Sequence, residues 1–120
     1  MKMWRQYFQE QSIVGFSNYM EDRMRIMSIY KVQMNECFNK SKKTKNKNQR
    51  LLNLYQCEIP IIENTIQRIR SASGKCENSQ FPERCQEFYN QLIPRLEYKI
   101  KFNNAQSVTL NRKLGILNYD

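Results

Sequence analysis

The 120-residue chain contains no histidine, only three glycines and only three prolines. Without histidine it lacks the side chain used most often for acid–base catalysis, which is also a frequent zinc ligand. So few turn-forming residues argue against a β-sandwich of many short strands. No apolar run reaches the roughly 18 residues of a membrane-spanning helix. The start, MKMWRQYFQEQSIVGF, shows neither a signal-peptide core nor an arginine-rich presequence. We therefore expect no transmembrane helix, and a chain that stays in the cytosol, was cut before its numbered start, or enters a compartment by an uncleaved route.

The net charge is +9, yet no acidic residue occurs between Glu36 and Glu58. Residues 39–50, NKSKKTKNKNQR, are predicted to form a mobile basic loop. The loop lacks the interleaved aromatic residues and the helical frame of a typical nucleic-acid site. We expect it to meet anionic lipid or an acidic protein rather than nucleic acid. Its basic side chains are Lys40, Lys42, Lys43, Lys45, Lys47 and Arg50.

Apolar residues recur at three- and four-residue steps, which predicts an all-α fold with three helices at about 4–40, 50–72 and 81–102. Together these helices form a single domain over residues 1–102. The methionine-rich face of the first helix reads as core packing, with a docking surface as the alternative. The predicted apolar faces are Phe16, Met20, Met24, Met27, Tyr30, Met34 and Cys37; then Leu51, Leu54, Tyr55, Ile59, Ile62, Ile66 and Ile69; then Phe81, Cys85, Phe88, Leu92, Leu96 and Ile100.

Turn and capping residues predict where these helices break. Pro60 is expected to kink or restart the second helix, and Pro94 is expected to bend the third. Gly74 is expected to stop the second helix in the left-handed conformation. Ser79 and Pro82 suit the cap and first turn of the third helix.

Residues 103–120 have few apolar anchors, so we expect an extended C-terminal arm that packs on a neighbouring protein. On this reading, removing the arm weakens assembly without unfolding the core.

The four cysteines, Cys37, Cys57, Cys76 and Cys85, leave three interpretations open. A structural zinc site usually brings its ligands in close pairs, often with histidine, and this chain offers neither. Reduced, buried thiols are the plainest alternative. Disulfides agree better with the layout. In an antiparallel hairpin of the first two helices, Cys37 and Cys57 lie about equally far from the loop centre and face each other.

Cys76 and Cys85 flank a short loop that a disulfide would close. Gly74 would let the chain turn there, and Phe81 with Phe88 would bury the inner side of the loop. Disulfides require an oxidising compartment. For a chain without a leader, we expect this compartment to be the mitochondrial intermembrane space.

Two stretches carry a family resemblance. The run IIENTIQRIRSASGKC, followed by ENSQFPERCQEFYNQLIPRLEYKIKFNNAQS, resembles the PDSW-type accessory subunit in the beta subcomplex of mitochondrial complex I, the NADH:ubiquinone oxidoreductase. Upstream, YMEDRMRIMSIYKVQMNEC is similar to that family's basic helix ending in Glu-Cys. The family places its second cysteine soon after the first, whereas here Cys57 follows the basic loop. CHCH-like proteins of the intermembrane space, with twin C-x9-C motifs, are a looser resemblance.

The resemblance implies a non-catalytic respiratory-chain subunit on the intermembrane-space side of the inner membrane, without cofactor or metal, clamping its neighbours. Its cysteines would then form the pairs Cys37–Cys57 and Cys76–Cys85. Alternatives are a subunit of ATP synthase or another respiratory complex, an RNA-contacting mitoribosomal protein, or a secreted helical disulfide protein. Catalysis is not expected. Cys76 beside Lys75 has no evident base, and Glu58 and Glu63 form no paired-carboxylate arrangement.

Overall fold

In a computed structural model, residues 14–79 and 81–115 are described, with side chains from residue 21 onward. Every regular element in these ranges is helical, which confirms the all-α, disulfide-stapled fold. The elements are α1 (Val14–Ser41), α2 (Lys47–Ser73), a short 3-10 helix η1 (Gly74–Asn78), α3 (Pro82–Asn90) and α4 (Leu92–Lys113). The predicted first helix also included residues 4–13, which lie outside the described ranges.

The three long helices form an open layer and not a closed bundle. α2 lies in the middle and packs against both α1 and α4, whereas within the described residues no Cα atom of α1 comes within 8 Å of one in α4. The Cα trace measures 66 × 27 × 14 Å, with a radius of gyration of 19.4 Å. A compact chain of this length would have a radius of gyration of about 14 Å. With a thickness near that of one helix, the described residues leave two broad faces of the layer uncovered along much of its length.

The hydrophobic core follows the central helix. Its fully buried aliphatic residues, Ile62 and Ile69, come from α2, and α1 contributes Ile26. At the end distant from the α1–α2 hairpin, η1 and α3 fold over this layer and bury Tyr89 completely. The remaining members of the core are Ile66, Ala72, Cys76, Cys85, Leu92 and Leu96. The molecule is therefore closed at one end and open at the hairpin end.

The hairpin loop is shorter than the predicted 39–50. α1 ends at Ser41 and α2 begins at Lys47. Asn46 fixes this start, because its side-chain Oδ1 accepts a hydrogen bond from the Gln49 backbone N–H at 3.0 Å. At the other side, the Ser41 hydroxyl donates to the Phe38 carbonyl at 2.7 Å. Seven of the twelve residues of the predicted loop, 39–41 and 47–50, are therefore helical.

Pro60 does not interrupt α2, which runs unbroken from Lys47 to Ser73. The expected restart is wrong. Proline removes one helical hydrogen bond, the one that would reach the Gln56 carbonyl. Both Pro60 and Gln56 lie on the exposed side of the helix, where water can satisfy that carbonyl.

Pro94 accompanies a break in the helix that lies one turn before the proline itself. The predicted single helix over 81–102 is divided at Gln91 into α3 and α4. Because Pro94 cannot donate to the Asn90 carbonyl and crowds the preceding turn, the helix cannot continue smoothly through this point.

The expected stop at Gly74 is also corrected. Gly74 has φ −62° and continues into η1 instead of adopting the left-handed conformation. The left-handed glycine is Gly115, with φ 77°, just after α4. Ser79 does not cap α3, since its hydroxyl donates back to the Cys76 carbonyl at 2.7 Å. Pro82 does occupy the first turn of α3, as predicted.

The predicted C-terminal arm is helical as far as Lys113. Asn103, Ser107 and Leu110 face inward at four- and three-residue steps and are buried. This face packs on α2, so residues 103–113 belong to the domain. The predicted extended conformation of residues 103–113 is therefore corrected, and we expect their removal to expose part of the α2 surface that they cover.

Candidate functional site

The hairpin carries the first disulfide. Cys37 of α1 is joined to Cys57 of α2, with a Cα–Cα distance of 5.7 Å. This distance lies within the range that a disulfide spans. The bridge lies in the open part of the layer, where α1 and α2 are not covered by α3. The bridge therefore joins α1 and α2 where these two helices pack only against each other along one side.

The second disulfide closes the opposite end. Cys76 of η1 is joined to Cys85 of α3 across a Cα–Cα distance of 5.5 Å, and both residues are buried. The Gln86 side chain supports the same turn by donating its Nε2–H to the Ser73 carbonyl at 2.8 Å. Phe81 is 40% exposed, so it does not bury the inner side of this loop as expected.

Phe88 packs against the core that contains Cys76 and Cys85. It is half-buried and stacks edge-on against Tyr89 with ring centroids 6.1 Å apart. The guanidinium of Arg23 lies 3.9 Å from the Phe88 ring centroid, so α3 is held to α1 as well as to α2. The second disulfide thus fixes α3 in a position where it joins all three long helices.

A buried polar cluster joins α2 to α4. Asn103 is fully buried and donates from Nδ2 to the Glu58 carboxylate at 3.0 Å and to the Tyr55 carbonyl at 3.3 Å. The Lys99 ammonium lies 3.4 Å from the same Glu58 oxygen. Because a buried carboxylate needs charge-assisted partners, this cluster fixes the register of α4 along α2.

Tyr30 brings α1 into this cluster. Burial, and next the negative charge of Glu58, raise the pKa of the Tyr30 hydroxyl above its ordinary value of 10.0. Sequence periodicity placed Tyr30 on the inner face of α1 but did not indicate its acidic neighbour, which comes from another helix.

The predicted basic segment is divided between loop and helix. Lys40, Lys42, Lys43, Lys45 and Lys47 are exposed, whereas Arg50 is half-buried and its Nη1 lies 3.5 Å from the Thr44 carbonyl. Nothing in the sequence pattern indicated that this segment lies beside the C-terminal turn of α4. Asn103 pairs with Tyr55 and Glu58, whereas the earlier Glu97 lies 3.8 Å from the later Arg70. α4 therefore runs antiparallel to α2 and ends beside the start of α2.

The residues weighed for catalysis are spread through the fold. The Cys76 sulfur is bonded to Cys85, and the neighbouring Lys75 is exposed. Glu58 is buried, whereas Glu63 is exposed. Within the described ranges, no three histidine, cysteine or acidic side chains come together as metal ligands. None of the helices in those ranges is long and apolar enough to cross a bilayer.

The open layer leaves large apolar side chains at the surface. Tyr98 is 70% exposed on α4, and Met24 is 67% exposed on α1, contrary to its predicted place in the core. Met27, Tyr30 and Met34 of the same predicted face do pack against the core. The chain matches no protein-family model, no curated protein and no solved structure.

Proposed function

We propose that this protein is a non-catalytic accessory subunit of a large mitochondrial inner-membrane assembly, held on the intermembrane-space side, with complex I as the specific host. The observation that carries the proposal is the pairing of all four cysteines across helix boundaries. Such pairs persist in oxidising compartments and are rare in the cytosol. The resemblance to the PDSW-type subunits, which rests on cysteine layout and helix order, gives the proposal its host.

The shape of the layer suits a protein that binds two neighbouring subunits and holds them together, here called a clamp. A layer about one helix thick exposes much surface for its mass, and it buries too little core to be held rigid by packing alone. The Cys37–Cys57 bridge holds the open end, and the Cys76–Cys85 bridge holds α3 over the closed end. A rigid layer binds neighbouring subunits at a lower entropic cost than a flexible one.

Exposed apolar side chains give this clamp its contact sites. Tyr98 on α4, and Met24 and Val32 on α1, are each more than half exposed. They lie on different helices of the layer, so partners could bind on more than one side. Aromatic residues and methionine are enriched at the cores of protein interfaces.

The test is import of the labelled full chain into mitochondria isolated from the source organism. We expect the chain to become accessible to protease once the outer membrane is ruptured, and to co-migrate with complex I on a native gel. The Cys76→Ala/Cys85→Ala variant should import but fail to accumulate in the complex. Ser71→Ala, an exposed change on α2, is the matched control and should behave as the wild type.

Other outcomes point to the alternative functions. Co-migration with ATP synthase or another respiratory complex would replace the host and keep the accessory role. Protection from protease in ruptured mitochondria, with co-sedimentation with ribosomes, would favour an RNA-contacting mitoribosomal protein. Failure to import, with recovery of the disulfide-bonded protein outside cells, would favour a secreted protein.

A further inference from the structure

The net charge of the molecule is concentrated at its open end. Residues 40–57 and 100–115, here called the basic end, contain nine lysines and arginines and no acidic residue. The other residues with described side chains, 21–39, 58–79 and 81–99, contain nine basic and nine acidic residues, which cancel. The cations of the basic end are Lys40, Lys42, Lys43, Lys45, Lys47, Arg50, Lys101, Arg112 and Lys113.

The fold, and not the sequence order, brings these charges together. Asn103 contacts Tyr55, and from these two residues the helices continue toward the same end. At 1.5 Å per residue, α4 extends about 15 Å further to Lys113, and α2 extends about 12 Å back to Lys47. The two termini therefore lie side by side next to the hairpin loop.

The basic end also presents apolar groups. Phe38 is 47% exposed at its border, and the Lys42 ammonium lies 4.5 Å from the Phe38 ring centroid. Phe102 and Val108 of α4 are 41% and 44% exposed. Exposed aromatic rings beside lysines suit the headgroup region of a bilayer, where rings enter the interface and ammonium groups meet phosphates.

Two features favour a lipid surface over a nucleic acid or an acidic protein. Seven of the nine cations are lysines, which act as mobile point charges and lack the planar fork that arginine uses for bidentate recognition. Lys42, Lys43 and Lys45 lie in the short loop between α1 and α2, and Lys47 begins α2, so four exposed ammonium groups are gathered at the tip of the hairpin. Mobile lipid anions can gather around such a cluster of charges, whereas a rigid partner would have to match its arrangement.

We propose that the basic end binds the surface of a bilayer containing anionic phospholipid, with the long axis of the molecule steep to the membrane. The 66 Å length then carries the neutral, closed end away from the headgroups. This proposal does not depend on which assembly holds the protein, because it concerns the purified chain and a lipid surface alone.

The test is sedimentation of the oxidised full chain with vesicles of pure phosphatidylcholine and of phosphatidylcholine mixed with phosphatidylserine in equal parts. We expect binding to the anionic vesicles only, weakened by added salt. A lysine near an anionic surface contributes about fivefold to partitioning. The variant Lys42→Gln/Lys43→Gln/Lys45→Gln/Lys47→Gln should therefore bind on the order of several hundredfold more weakly.

The matched control removes four exposed positive charges outside the basic end, in the part of the molecule whose charges cancel. This variant is Arg25→Gln/Lys31→Gln/Arg70→Gln/Lys75→Gln. It should lose no more than about fivefold, because those positions lie away from the surface. Circular dichroism checks that both variants remain helical. Equal losses in the two variants would overturn the proposed orientation. Absence of binding to anionic vesicles, or tighter binding to duplex RNA or polyglutamate at the same salt, would overturn the lipid surface as partner.

Discussion

The two disulfides should differ in how much they stabilise the fold, in the order of the loops they close. The Cys37–Cys57 bridge spans a sequence separation of 20, and the Cys76–Cys85 bridge spans 9. Loop-closure entropy then gives about 3.3 kcal/mol for the hairpin bridge and about 2.6 kcal/mol for the end bridge. Their sum, about 6 kcal/mol, is comparable to the lower end of the folding free energies of small domains, roughly 5–15 kcal/mol.

In each of two variants, one bridge is removed by substitution and the other is broken by reduction, so the sulfur atoms of the bridge being measured stay in place. In the Cys76→Ala/Cys85→Ala chain, urea unfolding with and without reductant reports the hairpin bridge alone. In the Cys37→Ala/Cys57→Ala chain, the same comparison reports the end bridge alone. We expect the free energy of unfolding to fall by the two amounts above, so that each urea midpoint falls by roughly 1–3 M.

The control is the wild-type chain, exposed to the same reductant for a time too short to reduce its bridges. It shows whether the reductant itself changes the urea midpoint. A loss below about 1 kcal/mol in both variants would refute the reasoning, because the open layer would then be held by packing alone. A larger loss from the shorter loop would show that the bridge acts through native-state packing at α3 and not through chain entropy.

Three further predictions concern packing and titration, each checked by urea unfolding. Asn103→Ala should lower the free energy of unfolding by about 2 kcal/mol, since the buried Glu58 carboxylate loses a charge-assisted hydrogen bond. An unchanged free energy of unfolding would show that this hydrogen bond does not fix the position of α4 along α2. Leu110→Ala should lower the free energy of unfolding by about 2–4 kcal/mol, because Leu110 is buried. Val108→Ala, on the exposed side of the same helix, should lower it by about 0.5 kcal/mol or less. Equal losses would contradict the packing of α4 on α2. The Tyr30 hydroxyl, whose pKa is raised in the folded state, keeps its proton where the unfolded chain has lost it, so stability should fall as the pH rises above about 10. Tyr30→Phe should show a smaller fall, and an identical pH profile would contradict the position of this hydroxyl.

Local patterns predicted the helices because helix periodicity depends on neighbouring residues. The ends of α1, α2 and the start of α3 fall within a few residues of the predicted bounds. Both cysteine pairings in the structure agree with the hairpin and loop arguments, since a turn fixes which residues oppose each other.

The extent of α4 was not predictable in this way. Its inner face beyond residue 102 uses Asn103 and Ser107, polar residues that read as solvent-exposed in sequence. Asn103 is buried because Glu58, which lies 45 residues earlier in the chain, accepts its hydrogen bond. Only the tertiary fold brings that partner into reach.

The breaks depended on context in the same way. Pro60 was expected to interrupt α2, yet it occupies an exposed position where a missing hydrogen bond costs little. Pro94 follows a short helix whose direction is already fixed by the Cys76–Cys85 bridge, and there the chain does divide. Residue type indicated where a break was allowed, and packing decided whether it occurred.

We propose that this helical layer works in an oxidising compartment with both bridges formed. A mass-spectrometric disulfide map tests this directly on the protein taken from its native source, with free thiols blocked at lysis. We expect intact Cys37–Cys57 and Cys76–Cys85 bridges in the intermembrane-space fraction. Four blocked thiols would contradict it and would place the protein in the cytosol or the mitochondrial matrix.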